Sequence, residues 1–536
     1  MEIPILSFDQ EYITVKEIHE MFINDTIDVD KTFKVLGTID SVRWSKNGIM
    51  FATMRSKDSI RTIQCTYLKK EEKDELWDEL EHTCSLGACF VMCGKIVKLD
   101  TKQLYEFVID LYTCFGKIKS KEEYPLAGKT HLKIETLRTI PHLKCQTKIM
   151  NAVDLITSTA YQYFHKSMKR LKIREIQPVL LTSNECESGS HPFVVTTLFS
   201  DPETGDFSDK LSTIPKVGDK ICTQKDFFKK PVFLTVSGQL HGEAIAVVTK
   251  SSKYWMTKAF RAEPSSGNFH AAEFLMPEWE IISDKLEDNM KVAEYTIKLI
   301  CQAVLKDHLY ELEFLEQYRQ KIMIKEYVES MKKVKDDWEK EKIEQAHQKK
   351  LSQLSLMDRL KLYVSEPFII STHAECIKRM LEDEQKGLVK FEKSPVLDDD
   401  ISREHEHYIT DVIYKGRPVF LRFFPKKVKA FYMPLIQTDK GDVERVNGYD
   451  LLLPYIGEVV GGSQRIESEK ELCQRMDELK MKTEPLQWYI DLRKYGSVPH
   501  GGAGLGFGRL IMALTGLSSI RDTDQFPRAY GLEMRC

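Results

Sequence analysis

No run of 18 or more apolar residues occurs in the chain, which excludes a membrane-crossing helix and any membrane partner of that kind. Glycine (27) and proline (19) are too scarce among 536 residues for a fibrous or low-complexity protein. An excess of one charge is also lacking. Lys plus Arg number 78 against 81 Asp plus Glu, a formal net charge of −3, so no DNA partner is expected. A local basic surface stays open, because only its own field acts on a bound polyanion. The first twenty residues carry acids where an export or transit peptide carries bases, and the C-terminus lacks a prenylation box, so a cytoplasmic location is expected. The twelve cysteines are scattered. Only Cys84, Cys89 and Cys93 cluster, with no His pair at zinc spacing, which leaves reduced, mostly buried thiols as the expectation. No Walker loop, no GxGxxG entering a βαβ unit and no Ser-His-Asp or Cys-His signature is found.

What is present is enough apolar residue, 42%, for a large core, and length for three or four folding units. The first third is rich in β-branched and aromatic runs: 31–37, 49–54, 62–67, 89–99 and 105–114, separated by turn residues such as Lys46-Asn47-Gly48. A helix is expected over 69–82. Five short strands with one helix between the third and fourth fit a small Greek-key barrel of the OB type over residues 1–115, a shape that commonly binds oligonucleotides. Residues 116–145 are polar, punctuated by Pro125, Gly128 and Pro141, and read as a hinge. From 146 to 536, strand-like runs and long helices alternate without a regular βαβ rhythm, which predicts α+β with an antiparallel sheet. Ile149, Val153, Ile156, Ala160 and Phe164 give 146–171 helical spacing. Residues 325–361 hold ten Lys/Arg and eight Asp/Glu with no Gly or Pro. Their near-cancelling charges, with pairs such as Asp336–Lys340 and Glu339–Lys342, predict a solvated helical insertion over a basic nucleic-acid arm.

Three segments carry chemistry. In His500-Gly-Gly-Ala-Gly-Leu-Gly-Phe-Gly-Arg509, the glycines let a backbone approach a flat or phosphorylated ligand, and an Arg at the next helix start can stack on a base or neutralise phosphate. Tight packing is the alternative there. In Phe260-Arg-Ala-Glu-Pro-Ser-Ser-Gly-Asn-Phe-His-Ala-Ala-Glu-Phe274, Arg261 and Glu263 share one face of a predicted strand, and the chain returns with His270 and Phe274. That is either a nucleotide clamp or an ordinary surface hairpin. In Asp450-Leu-Leu-Leu-Pro-Tyr-Ile-Gly-Glu458, two acids eight apart share a face if the strand is regular, which Pro454 and Gly457 interrupt. Paired carboxylates beside a phosphate groove suit Mg²⁺, and solvated surface acids are the other reading.

Together these segments resemble the signature motifs of class II aminoacyl-tRNA synthetases. Four further stretches are closer still to the asparaginyl-tRNA synthetases: Phe233-Leu-Thr-Val-Ser-Gly-Gln-Leu-His241, Gly457-Glu-Val-Val-Gly-Gly-Ser-Gln-Arg465, Tyr495-Gly-Ser-Val-Pro-His-Gly-Gly502 and Ile520-Arg-Asp-Thr-Asp-Gln-Phe-Pro-Arg528. Residues 124–147 resemble that family's hinge, and only the charged insertion falls outside. The resemblance implies an OB-fold anticodon-binding domain and an antiparallel catalytic sheet flanked by helices. It also implies a homodimer that uses ATP and Mg²⁺ to join asparagine to tRNA-Asn.

By the same resemblance, Arg261 holds the α-phosphate and the amino-acid carboxylate. Phe274 and Arg509 sandwich adenine, with Gly506 beside them. Glu263 and His270 belong to the loop at the ATP phosphates or the tRNA end. Asp450 and Glu458 are the Mg²⁺ carboxylates. Glu187 receives the substrate ammonium, Gln239 floors the amino-acid pocket, and Arg465 with Glu243 meets the side-chain end. Phe51 and Gln64 contact the anticodon, with Arg43 and Thr66 as weaker candidates, and core packing is the other reading of Phe51. Pro178 marks the dimer interface.

Asparagine is favoured over aspartate on physical grounds. An aspartate pocket must neutralise a buried carboxylate. The aspartyl relatives place a lysine three residues after the pocket glutamine, and here that residue is Gly242, followed by Glu243. A neutral amide can donate to an acid and accept from Arg465. Three positions depart from the family: Gly508 where an acid precedes the motif arginine, Phe269 where the loop carries an arginine, and Pro264 where it carries Asn. The first two remove charges near the nucleotide. The alternatives are therefore an aspartyl-tRNA synthetase, or a synthetase-like RNA-binding protein impaired in catalysis.

Overall fold

The computed structural model describes residues 11–99, 105–120, 122–127, 132–183, 191–200, 204, 206–207, 214–334, 336–351, 353–439 and 441–534. Its contacts divide the chain into two compact units. One holds the described part of 1–156 together with His308–Tyr318, and the other holds Thr157–Asp307 and Arg319–Met534.

In the first unit, strands Phe33–Trp44, Ile49–Arg55, Thr62–Leu68, Cys89–Lys98 and Tyr105–Gly116 close a barrel in the order first, second, third, fifth, fourth. The third and fifth pair in parallel and the others antiparallel. This is the five-stranded arrangement the turn spacing predicts. Inward residues alternate along the second strand. Met50, Ala52 and Met54 join the core, with Val35, Phe90 and Phe107 opposite. The helix between the third and fourth strands starts at Glu75, not Lys69. Asp74 ends the loop by accepting from Leu76 N and Trp77 N, both at 3.1 Å, and its carboxylate also accepts a hydrogen bond from the Tyr67 hydroxyl.

The segment His308–Tyr318 is held to this unit by Glu311. Its buried carboxylate accepts from Ser59 Oγ at 2.6 Å and Ile60 N at 3.1 Å. Burial pushes this carboxyl up, but hydrogen bonds from His308, Ser59 and Ile60 outweigh it and hold the group at about 2. A depressed folded value stabilises above the unfolded value and loses that stability as pH falls through the folded one. Glu311→Gln is expected to cost about 1–3 kcal/mol at pH 7. The gap from the unmodified chain should narrow between pH 4.5 and about 2 in urea unfolding. A gap independent of pH would contradict the assignment.

The second unit is built on an eight-stranded sheet. Its order is Ile369–Thr372, Val419–Arg422, Gly448–Leu453, Gly457–Gln464, Gly501–Leu505, Glu273–Ile281, Lys253–Phe260 and Arg174–Glu175. The pairs at both edges are parallel and every pair between them is antiparallel, as expected for an α+β chain. Ile149, Val153, Ile156, Ala160 and Phe164 are all buried along the Lys148–Arg170 helix, as their spacing predicts. In the charged insertion, helix Leu309–Lys333 is followed by Asp337–Leu351, with exposed faces. Lys340 pairs with Asp337 at 2.9 Å, not with Asp336. The Asp336 carboxylate instead accepts from Trp338 N and Glu339 N and caps the second helix. Among the described residues no helix is long and apolar enough to cross a membrane.

Candidate active site

The strand order lays four motif segments side by side: 457–464, 501–505, 273–281 and 253–260. Residues far apart in the chain therefore meet on one sheet. Two polar clusters result.

The first cluster is a buried ionic network. Arg465, 4% exposed, donates from Nε and Nη2 to both oxygens of Glu280, at 3.1 and 3.0 Å, and from Nη1 to Ser463 Oγ at 2.7 Å. Its guanidinium also covers the Tyr432 ring. Glu243, fully buried, accepts from Arg493 Nη2 at 2.5 Å and from the Tyr489 hydroxyl at 2.8 Å, and His500 Nε2 lies 3.1 Å away. Arg465 Nε is 3.8 Å from Glu243. Burial alone would raise the Glu243 carboxyl. The Arg493 guanidinium, the His500 hydrogen bond and Arg465 overcome it and hold Glu243 far below the usual carboxylate range. Glu280 is pushed upward by burial and by Glu243, against Arg465. His500 is raised because its bond to Glu243 outweighs burial. The ligand atoms of Glu243, Glu280 and His500 lie within 4.8 Å of one another. Their charges are already met by two guanidiniums, so a cation there would face repulsion rather than a vacant cage.

Glycines make this network possible. A Cβ on Gly502 would lie 1.9 Å from Glu280 Oε2, and one on Gly501 would lie 2.1 Å from Gln464 Oε1. A Cβ on Gly242 would lie 2.0 Å from the Trp255 ring, so this backbone has no room for a lysine there. Next to it, Glu278 accepts hydrogen bonds from the Trp255 indole N–H at 2.6 Å, the Ser237 hydroxyl at 2.5 Å and Gly238 N at 2.9 Å, fixing the start of helix Gln239–Thr249. At that start the Gln239 amide nitrogen is buried without a hydrogen-bond partner among the described residues. A buried amide in this state costs free energy unless something supplies the partner.

The second cluster lies around Glu458. Arg509, in the first turn of helix Phe507–Thr515, donates from Nη1 to Glu458 O at 2.6 Å and lies 3.4 Å from its carboxylate. Gly506 is the N-cap of that helix and donates to Val459 O. Asp450 and Glu458 do not share one strand. A turn at Pro454–Gly457 separates two antiparallel strands, and a bulge shifts the register next to Leu452. The carboxylates still converge, because a Cβ on Gly461 would lie 3.1 Å from Glu458 Oε1 and 3.7 Å from Asp450 Oδ1. Lys429 contacts both Asp450 oxygens, at 2.7 and 2.8 Å. Burial and the nearby Glu458 push Asp450 up to about 7 against the pull of Lys429. Burial also opposes ionisation of Glu458, but Arg509 and Lys429 hold it below its usual range. Two converging carboxylates are the donor set a hard divalent ion uses together with substrate phosphates, and they fit Mg²⁺ once Lys429 and Arg509, which pair with them here, give way to the ion.

Arg261 and Glu263 lie beyond the strand, which stops at Phe260. Past that point Pro264 has no N–H to give a ladder, and Ser265 N turns back to Glu263 O. The Arg261 guanidinium stands 5.4 Å from the centre of the Phe274 ring. Glu263 and His270 approach to 4.0 Å, and His270 contacts Ser265 Oγ. Gly508 has no space for an acid, since a Cβ there would lie 2.7 Å from Ile520. Pro178 is buried, whereas Val179, Leu180, Leu181 and Val194 near it are exposed. Glu187 lies outside the described residues.

On the barrel, Phe51 is on the outer face and not in the core. Arg43 stands over its ring at 5.2 Å. Gln64 is also outward and donates to Glu106 at 3.2 Å, while Thr66 is buried.

Residues 133–530 match the family described as tRNA synthetases class II (D, K and N). An Arabidopsis thaliana asparagine–tRNA ligase, chloroplastic/mitochondrial, is 33% identical over 93% of this chain and 80% of its own length. A Legionella pneumophila asparagine–tRNA ligase is 32% identical over 97% and 99% of the two chains. The fold is also similar to that of Pyrococcus horikoshii asparaginyl-tRNA synthetase complexed with asparaginyl-adenylate, with a TM-score of 0.72 at 23% identity, covering 95% of this chain and 98% of that one.

Proposed function

The chain belongs to the asparagine–tRNA ligases within the class II (D, K and N) tRNA synthetases, and from that membership we propose which residues carry the reaction. Asparagine's carboxylate oxygen attacks the α-phosphorus of ATP, giving asparaginyl-adenylate and pyrophosphate. A hydroxyl at the 3′-end of tRNA-Asn then attacks the activated carbonyl and releases AMP. The enzyme supplies position and charge, with no covalent bond to the protein. Arg261 bridges the substrate carboxylate and the α-phosphate, close to where charge builds up. Phe274 and Arg509 hold adenine between a ring and a guanidinium, with Gly506 beneath. Asp450 and Glu458 would hold the Mg²⁺ that accompanies ATP and offsets phosphate charge. Glu263 and His270 serve the phosphate or tRNA side, and Glu187 the ammonium.

The observation that carries the choice of amino acid is the two-point contact of buried Arg465 with Glu280. The cation is neutralised before any ligand arrives. A substrate carboxylate would find no spare positive charge, whereas an amide oxygen can accept from Arg465 and from the orphaned Gln239 amide; Glu243, fully buried and bonded to Arg493, Tyr489 and His500, acts behind Arg465 and not on the substrate. The test is ATP–pyrophosphate exchange followed by charging of a tRNA-Asn transcript. Exchange and charging with asparagine are expected. tRNA binding without either step would instead favour the catalytically impaired RNA-binding reading.

On the barrel, Phe51 and Gln64 would read the anticodon through stacking and edge contacts. Phe51→Ala is expected to raise KM for tRNA-Asn about 10- to 100-fold in steady-state charging. An unchanged KM would remove Phe51 from that surface. The exposed apolar residues around Pro178 suit a second copy of this chain, hence a homodimer, and a single-chain mass in sedimentation equilibrium would contradict it.

A further inference from the structure

The loop between Phe260 and Glu273 lacks an arginine at Phe269, yet a guanidinium occupies the space against that ring. Arg403 Cζ lies 3.2 Å from the Phe269 ring centre. Arg403 opens the short helix Arg403–His407, which Ser402 caps with its hydroxyl, so the residue enters from a different part of the fold. Its Nη2 donates to Ile456 O at 3.0 Å. Among the described residues that is its one hydrogen bond, and it has no ion pair at salt-bridge distance. A guanidinium carries several N–H donors in a planar fork, so most of this one's capacity is uncommitted.

Arg403 stands close to a second cation, Arg509, and to one acid, Glu406. It is half-buried, and burial together with the nearby Arg509 makes its positive charge unfavourable, only partly relieved by Glu406. Glu406 itself reaches the Gly457 turn, where a Cβ would lie 2.1 Å from its Oε2, and it feels both Glu458 and Asp450. Arg403 therefore stands beside the Glu458–Arg509 cluster, on the side of the loop that carries His270. The Phe269 ring lies against the guanidinium, and the one hydrogen bond it makes among the described residues engages Nη2. That is the geometry for two-point recognition of a phosphate, which a lysine's point charge does not reproduce.

We propose that Arg403, held flat by Phe269, binds the terminal phosphates of ATP and the pyrophosphate that leaves, taking the place of the missing loop arginine. This rests on the reading of the Glu458–Arg509 cluster as the ATP site. It assigns a binding role to a residue that no sequence motif marked, and it answers the charge lost at Phe269.

The experiment compares ATP and AMP binding by calorimetry in the full chain, without amino acid, and adds pyrophosphate-exchange kinetics. Arg403→Ala is expected to weaken ATP about 10- to 100-fold while AMP binding stays within about twofold. KM for ATP and for pyrophosphate should rise in parallel, with KM for asparagine little changed. Arg403→Ala combined with Phe269→Arg should recover most of the ATP affinity, because the cation returns from the loop. If the alanine variant does not fold, Arg403→Lys keeps the stem and the charge but loses the fork, and a several-fold loss for ATP alone is expected. Equal weakening of ATP and AMP, or unchanged ATP affinity, would overturn the proposal. Unmodified chain that binds ATP but shows no asparagine-dependent exchange would count against the catalytic reading while leaving the ATP/AMP comparison intact.

Discussion

Arg465→Ala is expected to abolish asparagine activation, by about 10²- to 10³-fold in kcat/KM, and to lower stability by about 3–5 kcal/mol. Both effects have one origin. The sequence motif suggests a side chain reaching into a pocket, whose loss would spare the fold. The structure instead places Arg465 between Glu280 and Glu243, both fully buried. Removing the guanidinium leaves Glu280 without its two charge-assisted hydrogen bonds in a site closed to water. Glu280 would then take up a proton, so the stability deficit should shrink toward low pH. Arg465→Lys keeps the charge but cannot span both Glu280 oxygens, and an intermediate loss is expected. Chemical unfolding and pyrophosphate exchange on the same preparations measure the two effects. Loss of activation with full stability would mean that the ion pair is not formed in solution.

Gly502→Ala tests the same network through the backbone. Gly502 lies opposite Glu280 in the pairing of strands 273–281 and 501–505. The added methyl would fall 1.9 Å from Glu280 Oε2, 2.5 Å from Trp279 O and 2.7 Å from Arg465 Nη2. A backbone oxygen cannot swing aside as a long side chain can, so the strands must separate or the ion pair must move. Overpacking of this kind costs about 1–3 kcal/mol. A displacement of about 1 Å at substrate-positioning groups costs about 10²-fold in rate. The expected result is a folded protein with asparagine activation reduced about 100-fold and KM for asparagine raised. Unaltered exchange kinetics would show that the pocket tolerates the methyl and that the pair is looser than drawn.

Much of this site could be read from the chain because its glycine and arginine motifs are local. Gly457–Arg465 and His500–Arg509 each fold as one strand or one strand–helix turn, so spacing alone kept their residues together. The partners were harder. Glu280 is 185 residues from Arg465, and Arg493 is 250 from Glu243. A single sequence carries no sign of such a pairing. One signal was available: Glu278 and Glu280 interrupt an otherwise apolar strand, Phe274–Ile281, and acids almost never lie buried there unless paired. Lys429 and Arg403 gave no such signal: Lys429 follows two other lysines closely, and Arg403 sits among ordinary polar residues. The barrel's five strands were marked off by turn residues, but the attachment of His308–Tyr318 left no mark. A helical stretch far along the chain shows nothing about where it docks until Glu311 meets Ser59. Pro454 and Gly457 already argue against one regular strand from Asp450 to Glu458, and Gly457, at φ +85, does turn the chain between them.

On the proposed reading, a cation neutralised in advance by Glu280 fits this pocket to an uncharged amide. The most direct measurement is kcat/KM for pyrophosphate exchange with asparagine and with aspartate, side by side on the unmodified chain. Asparagine should be preferred by about 10³-fold or more, the equivalent of the several kcal/mol that an unpaired buried carboxylate costs. Comparable values for the two amino acids, or a preference for aspartate, would contradict it.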